Sequence, residues 1–134
     1  RQSTRNNRGT DMSKYKASKC EYNGIKFDSK KERDRYIFLK GMEENGKISN
    51  LELQKAFVLI PVQREKSTIN SKGKEVLGKV KERDCKYIAD FCYECNGETI
   101  VEDVKGYRQG GAYSVFTIKR KLMLYLHGIE VHEV

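Results

Sequence analysis

Two carboxylates and an amine stand at short spacing in KYIADFCYECNGETIVEDVKG, residues 86–106: Asp90 on one strand-like run, Asp103 and Lys105 on the next. Between the runs, Asn96-Gly97 is the strongest short-range signal for a tight hairpin. Counting outward from it sets Cys95 opposite Glu98, Tyr93 opposite Ile100, and Asp90 opposite Asp103. Directly opposed residues share a face, about 4.5–5.5 Å apart at Cβ, and like charges there repel. A hard divalent cation reverses that repulsion, since Mg²⁺ takes one or two carboxylates together with waters and substrate phosphates. Lys105 falls on the same face as Asp103. The set suits hydrolysis of a phosphodiester. The metal polarises the phosphoryl oxygen and activates water, and the lysine orients that water or steadies the charge developing on the phosphate.

Period-2 alternation assigns Ile88, Cys92 and Val101 to this face, and Ala89, Phe91, Tyr93, Ile100, Glu102 and Val104 to the other. Aspartate is disfavoured on a half-exposed strand, so two of them opposed call for a reason. A simple ion pair with Lys105 would relieve part of the repulsion, but one lysine does not neutralise two carboxylates. Glu102 competes with Asp103 as a ligand and is set aside by parity. Cys92 and Cys95 offer a rival zinc site. Residues three apart on a strand point to opposite faces, no second C-x-x-C exists, and His127 and His132 lie far along the chain.

Several elements must carry this hairpin. Residues 1–19 lack apolar periodicity and read as a flexible basic arm, of which 1–11 look like an appendage before a natural start at Met12. Residues 20–134 read as one domain. YNGIKF is a short hairpin, and Ser29 with Glu32 forms a capping box opening a helix that runs to Glu44 and stops at Gly46. LELQKAFVLIPV, residues 51–62, is a strand ended by Pro61, and residues 64–78 are a polar loop or an excursion of the sheet. After the hairpin, GYRQGGAY is a connector. SVFTIKRKLMLYLHG is a second helix with Val115, Phe116, Leu122, Met123 and Leu126 on one side, and IEVHEV is a final strand. The order α-β-β-β-α-β predicts an α/β fold with a central mixed sheet flanked by helices.

The 134 residues carry a formal charge of +8 with 37% hydrophobic residues. No run is long and apolar enough to span a membrane, and nothing reads as a secretory signal. Four irregularly spaced cysteines read as reduced thiols, which points to the cytoplasm. A basic surface favours a polyanion, with nucleic acid the partner that agrees with the carboxylate pair.

The Glu-bearing helix, the strands with D and D-x-K, and the following helix resemble the PD-(D/E)XK nuclease superfamily. More narrowly, FDSKKERDRY, ISNLELQKAF, KYIADF and VEDVKG resemble a family of small phage-encoded endonuclease-like proteins within it. Ala89 stands where the superfamily pattern often has proline. The resemblance implies a restriction-endonuclease-like core and a metal-dependent endonuclease acting on DNA. It implies Mg²⁺, or Mn²⁺ in its place, held by Asp90 and Asp103, with catalysis assisted by Lys105 and Glu32 approaching from the first helix to support the metal or the water. Basic residues of the second helix, Lys119 and Lys121, would reach the DNA backbone. Branched or recombination-intermediate DNA would be the substrate, a homodimer would suit paired cuts, and a phage protein would work in the host cytoplasm. Gln54 matches the family text without a chemical role. The alternatives are a non-catalytic DNA-binding module with the same fold and a zinc-stabilised interaction protein.

Overall fold

A computed structural model describes residues 18–134; the expected arm falls outside these residues except at positions 18 and 19. The chain opens with a small hairpin, β1 (Cys20–Tyr22) and β2 (Ile25–Phe27), turned at Asn23-Gly24. Helix α1 (Lys30–Glu44) follows. Ser29 caps it, its hydroxyl accepting from the Glu32 amide at 3.1 Å, and Gly46 with φ of 74° turns the chain away from it. Tyr36 and Leu39, one turn apart, are the buried apolar residues that seat the helix.

Strand β3 (Ser49–Ile60) then leads into an excursion of four short strands: β4 (Gln63–Arg64), β5 (Thr68–Ile69), β6 (Glu75–Val76) and β7 (Val80–Glu82). Strand β8 (Cys85–Cys95) returns antiparallel to β3 and turns through Asn96-Gly97 into β9 (Glu98–Asp103). Helix α2 (Gly111–His127) crosses over to β10 (Val131–Glu133), which lies parallel to β9. The central sheet has the order β10-β9-β8-β3 and is mixed. The chain is therefore α/β, with one helix on each face of a mixed sheet, as the element order predicts.

Two apolar clusters sandwich the sheet. Phe27, Tyr36, Leu39, Phe91 and Tyr93 lie on the α1 face, while Tyr87, Ala89, Cys92, Val101, Phe116 and Met123 lie on the α2 face. Cys92 and Cys95 pack into opposite clusters, which removes the geometry of a Cys-x-x-Cys chelate. Strict alternation along β8 fails. Tyr87 and Ala89 join Cys92 and Val101, whereas Ile88 is exposed. Strand β3 makes the same switch, with Leu51 and Leu53 on the α1 face and Phe57 and Leu59 on the α2 face. Both switches pivot at Gln54 and Asp90, a step missing from the pairing between Leu53↔Phe91 and Lys55↔Ala89, where Gln54 has φ of 52°.

Helix α2 also departs from expectation. It starts at Gly111, three residues early, because Gly110 with φ of 89° lets the connector turn directly into it. Phe116 and Met123 are buried, but Val115 and Leu126 are exposed, since the sheet covers only one narrow side of the helix.

Candidate metal-dependent active site

The hairpin register is the one counted from the turn: Cys95 faces Glu98, Tyr93 faces Ile100, and pairing continues to Phe91 with Glu102. Asn96 (φ 52°) and Gly97 (φ 80°) are both left-handed, the signature of a two-residue turn that matches strand twist. Asp90 and Asp103 stand one step past the last paired residues. The ladder opens there, and an Asp90 carboxylate oxygen accepts from the Val104 amide at 2.8 Å.

Glu32, Asp90, Asp103 and Lys105 line one open cleft of about 530 Å³, together with Asp28, Ser29, Lys31 and Ile88. The cleft lies between the N-terminus of α1 and the ends of β8 and β9. Asp103 is buried. One of its oxygens pairs with the Lys105 ammonium at 2.9 Å, and the other accepts from the Tyr87 hydroxyl at 2.6 Å. The Lys105 ammonium also lies 3.8 Å from the centre of the Phe116 ring, a cation–π contact that tethers it to α2. The Lys31 ammonium donates to the Lys105 carbonyl at 2.8 Å and fixes the loop behind the lysine.

Glu32 caps less than the sequence pattern implies. Only 6% of it is exposed, and one carboxylate oxygen accepts from the Gln54 amide at 3.3 Å. The same Gln54 nitrogen lies 3.3 Å from Asp90 and so bridges the two carboxylates. Gln54 and Tyr87 are the site residues that sequence reasoning misses. Its only signal for Gln54 is the match to the family text; for Tyr87, parity points the wrong way.

Crowding of negative charge shows in proton affinities. Burial, then the charges of Asp90, Asp28 and Asp103, push Glu32 from 4.5 up to about 7, against a lowering contribution from the Asp28 backbone amide. Asp90 is raised by burial and by Asp103, partly offset by the Val104 amide, Gln54 and Lys105. Burial and its bond to Asp103 hold the Tyr87 hydroxyl protonated. A carboxylate whose ionisation is opposed by neighbouring negative charge, as in Glu32 and Asp90, favours a cation beside it. The donor set fits Mg²⁺: hard oxygens from Asp90 and Asp103 with Glu32 alongside, in a cleft open to water and phosphate.

A stability consequence follows. Glu32 binds a proton more tightly folded than unfolded, so between about pH 4.5 and 7 the folded chain holds more protons and stability falls as pH rises. Discounted for the cleft's contact with water, this contributes about 1–2 kcal/mol. Calorimetric melting of metal-free protein is expected to show a lower Tm at pH 8 than at pH 5. Glu32→Gln should flatten that slope, and an unchanged slope would contradict the account.

The remaining expected residues separate. The Lys119 ammonium donates to the Lys86 carbonyl at 2.8 Å, two residues from Ile88 on the cleft wall. Lys121 lines a different groove with Leu124, Glu130 and Val131. Glu102, adjacent to Asp103 in sequence, is 2% exposed on the opposite face. There Arg35 clasps it through two bonds of 2.7 and 2.6 Å, and the Tyr93 hydroxyl donates to it.

Residues 12–131 match a family model described as a protein of unknown function, DUF1064. No curated protein and no solved structure matches the chain.

Proposed function

We propose that this chain, a member of the DUF1064 family, is a divalent-metal-dependent endonuclease of the PD-(D/E)XK type that hydrolyses DNA phosphodiester bonds. The observation that carries the reading is the convergence of Glu32, Asp90 and Asp103 with Lys105 in one cleft, where burial and neighbouring carboxylate charge raise the proton affinity of Glu32 and Asp90. The +8 charge of the chain supports a polyanionic substrate. The restriction-endonuclease-like core fits the order of strands and helices, as a matter of element order.

In this reading Asp90 and Asp103 hold the cation. A Mg²⁺ ion held there would supply Lewis acidity toward the phosphoryl oxygen and acidify the attacking water. Glu32, alongside these two carboxylates in the cleft, accepts the proton of that water. The water oxygen bonds to phosphorus, the opposite P–O bond breaks, and the leaving oxygen is protonated from solvent. Lys105 releases Asp103 to offset charge on the phosphate in the transition state. Gln54 keeps Glu32 and Asp90 oriented, and Tyr87 keeps Asp103 from rotating away.

A second reading is a DNA-binding module that does not cleave. It is favoured by the bonds Asp103 makes without a metal, to Lys105 and Tyr87. It is favoured too because, among the described residues, no group of three His, Cys, Asp or Glu forms a ready-made metal cage. Nicking of supercoiled and branched DNA with Mg²⁺ separates the two. The nuclease reading expects wild-type cleavage that EDTA and Asp103→Ala abolish. Binding without cleavage establishes the module, and cleavage that survives Asp103→Ala sinks the site.

A further inference from the structure

Residues 61–84, the excursion between β3 and β8, form a projecting arm. Strands β4 and β7 pair at its base and β5 with β6 at its tip. Every residue of the arm is exposed except Gly78 at the waist, where a Cβ would lie 2.0 Å from the Glu65 carbonyl oxygen. Only glycine fits that crossing, so tip and base meet in a defined way. The tip is braced as well: the Asn70 side chain accepts from the amides of Lys72 and Lys74 at 2.9 and 3.0 Å, and Ser67 bonds to Glu75.

A two-stranded ribbon exposed on both faces is marginal in water. This one also leaves Ile69 75% and Leu77 69% exposed. It carries seven basic side chains against four acidic ones. Among the described residues, Lys66, Lys72, Lys74, Lys79 and Lys81 are in no ion pair with a carboxylate, so their charge is uncompensated. The arm springs from β8 five residues before Asp90, on the order of 17 Å along the strand at about 3.3 Å per residue. That is close to the width of a DNA duplex. The major groove of B-form DNA admits a two-stranded ribbon, whereas the deep, narrow major groove of A-form RNA does not.

We propose that residues 61–84 grip duplex DNA, lying in the major groove on one side of the bond presented to the cleft. Lys66, Lys72, Lys74 and Lys79 face the phosphates of the groove walls, and Ile69 and Leu77 meet the groove floor, where thymine methyls offer apolar contact. This rests on the nuclease reading and extends it: the substrate must be duplex on that side of the cut, and the arm sets which side.

The test measures binding of the full chain to a 30-bp DNA duplex by fluorescence anisotropy in EDTA across a salt series, beside cleavage with Mg²⁺. The variant Lys66→Gln/Lys72→Gln/Lys74→Gln/Lys79→Gln alters only exposed positions. It is expected to keep its Tm, to bind about a hundredfold more weakly near 0.1 M salt, and to lower the slope of log affinity against log salt by about 3.6, near 0.9 for each of the four phosphate contacts. Hydroxyl-radical footprinting is expected to lose protection on one flank of the site only. Unchanged affinity and slope in a variant of an active nuclease overturn the arm alone. Weakened binding by the variant, beside a wild type that binds but never cleaves, leaves the arm standing and removes the nuclease reading. Equal loss on an RNA duplex of the same length overturns the groove placement.

Discussion

Asparagine in place of Asp90 is expected to lower Mg²⁺-dependent cleavage at least about a thousandfold, while the metal-free protein melts at a higher temperature than wild type. Both effects come from one charge. Burial and Asp103 make the Asp90 carboxylate costly to ionise, so the neutral isostere relieves repulsion in the absence of metal. Its oxygen still accepts from the Val104 amide, and the Gln54 amide can turn to receive the new donor. With the metal the balance reverses, since a ligand and its charge are gone; removal of one transition-state-stabilising group typically costs 10²–10³ in rate, and a cation stabilises more than a single donor. Steady-state cleavage and calorimetric melting check the two halves. A variant both active and unaltered in Tm would place Asp90 outside the chemistry, and one that loses activity by unfolding would make it a structural residue.

Glu102→Ala carries the largest expected effect on stability. Arg35 holds the Glu102 carboxylate through two bonds, Tyr93 donates a third, and the carboxylate is buried. Its bond to Glu102 raises the proton affinity of Arg35, and burial raises that of Tyr93, so both stay protonated as donors. Truncating Glu102 leaves the buried Tyr93 hydroxyl and the partly buried Arg35 unmatched, at a cost of about 3 kcal/mol, the low end for a buried pair. For a chain of this length the Tm should fall by roughly 10 °C. Below the new Tm the variant should still cleave, since Glu102 is not among the residues that line the cleft. Replacing both charges, Arg35→Met with Glu102→Leu, should recover much of the loss. On the proposed function, adjacent acids split their roles: Glu102 for the fold, Asp103 for the chemistry. A Glu102→Ala variant with unchanged Tm would show that the pair is weakly coupled to folding.

Much of this site is legible in the chain because Asn96-Gly97 pins the register. A turn that needs two left-handed residues leaves one way to count, and the ladder follows that count to Phe91 with Glu102, one step short of Asp90 and Asp103, which line one cleft with Lys105. The same count separates Glu102 from Asp103. Ser29 reveals where α1 begins, though not that Glu32 turns from the cap toward Gln54. Alternation breaks where no residue announces it. Gln54 is neither glycine nor asparagine, yet it adopts a left-handed conformation that ordinarily costs about 1–2 kcal/mol. Bonds to Glu32 and Asp90, 22 and 36 residues away, accompany that conformation. Contacts so distant leave no local pattern, and so Tyr87 and Gln54 escape a reading by parity. Strain of this kind clusters at functional sites, which makes Gln54 a marker of the cleft in its own right. Val115 and Leu126 escape for a different reason. An apolar stripe on a helix is readable, but how wide a strip the sheet covers is not.

Anomalous diffraction from crystals soaked in millimolar Mn²⁺ tests the central claim most directly, because it locates the ion rather than its effect. One peak is expected between the carboxylates of Asp90 and Asp103, within ligand distance of both, with the Lys105 ammonium displaced from Asp103. A cleft without a peak, its Lys105–Asp103 pair intact, would contradict a metal-holding site and return these acids to a role in binding or folding.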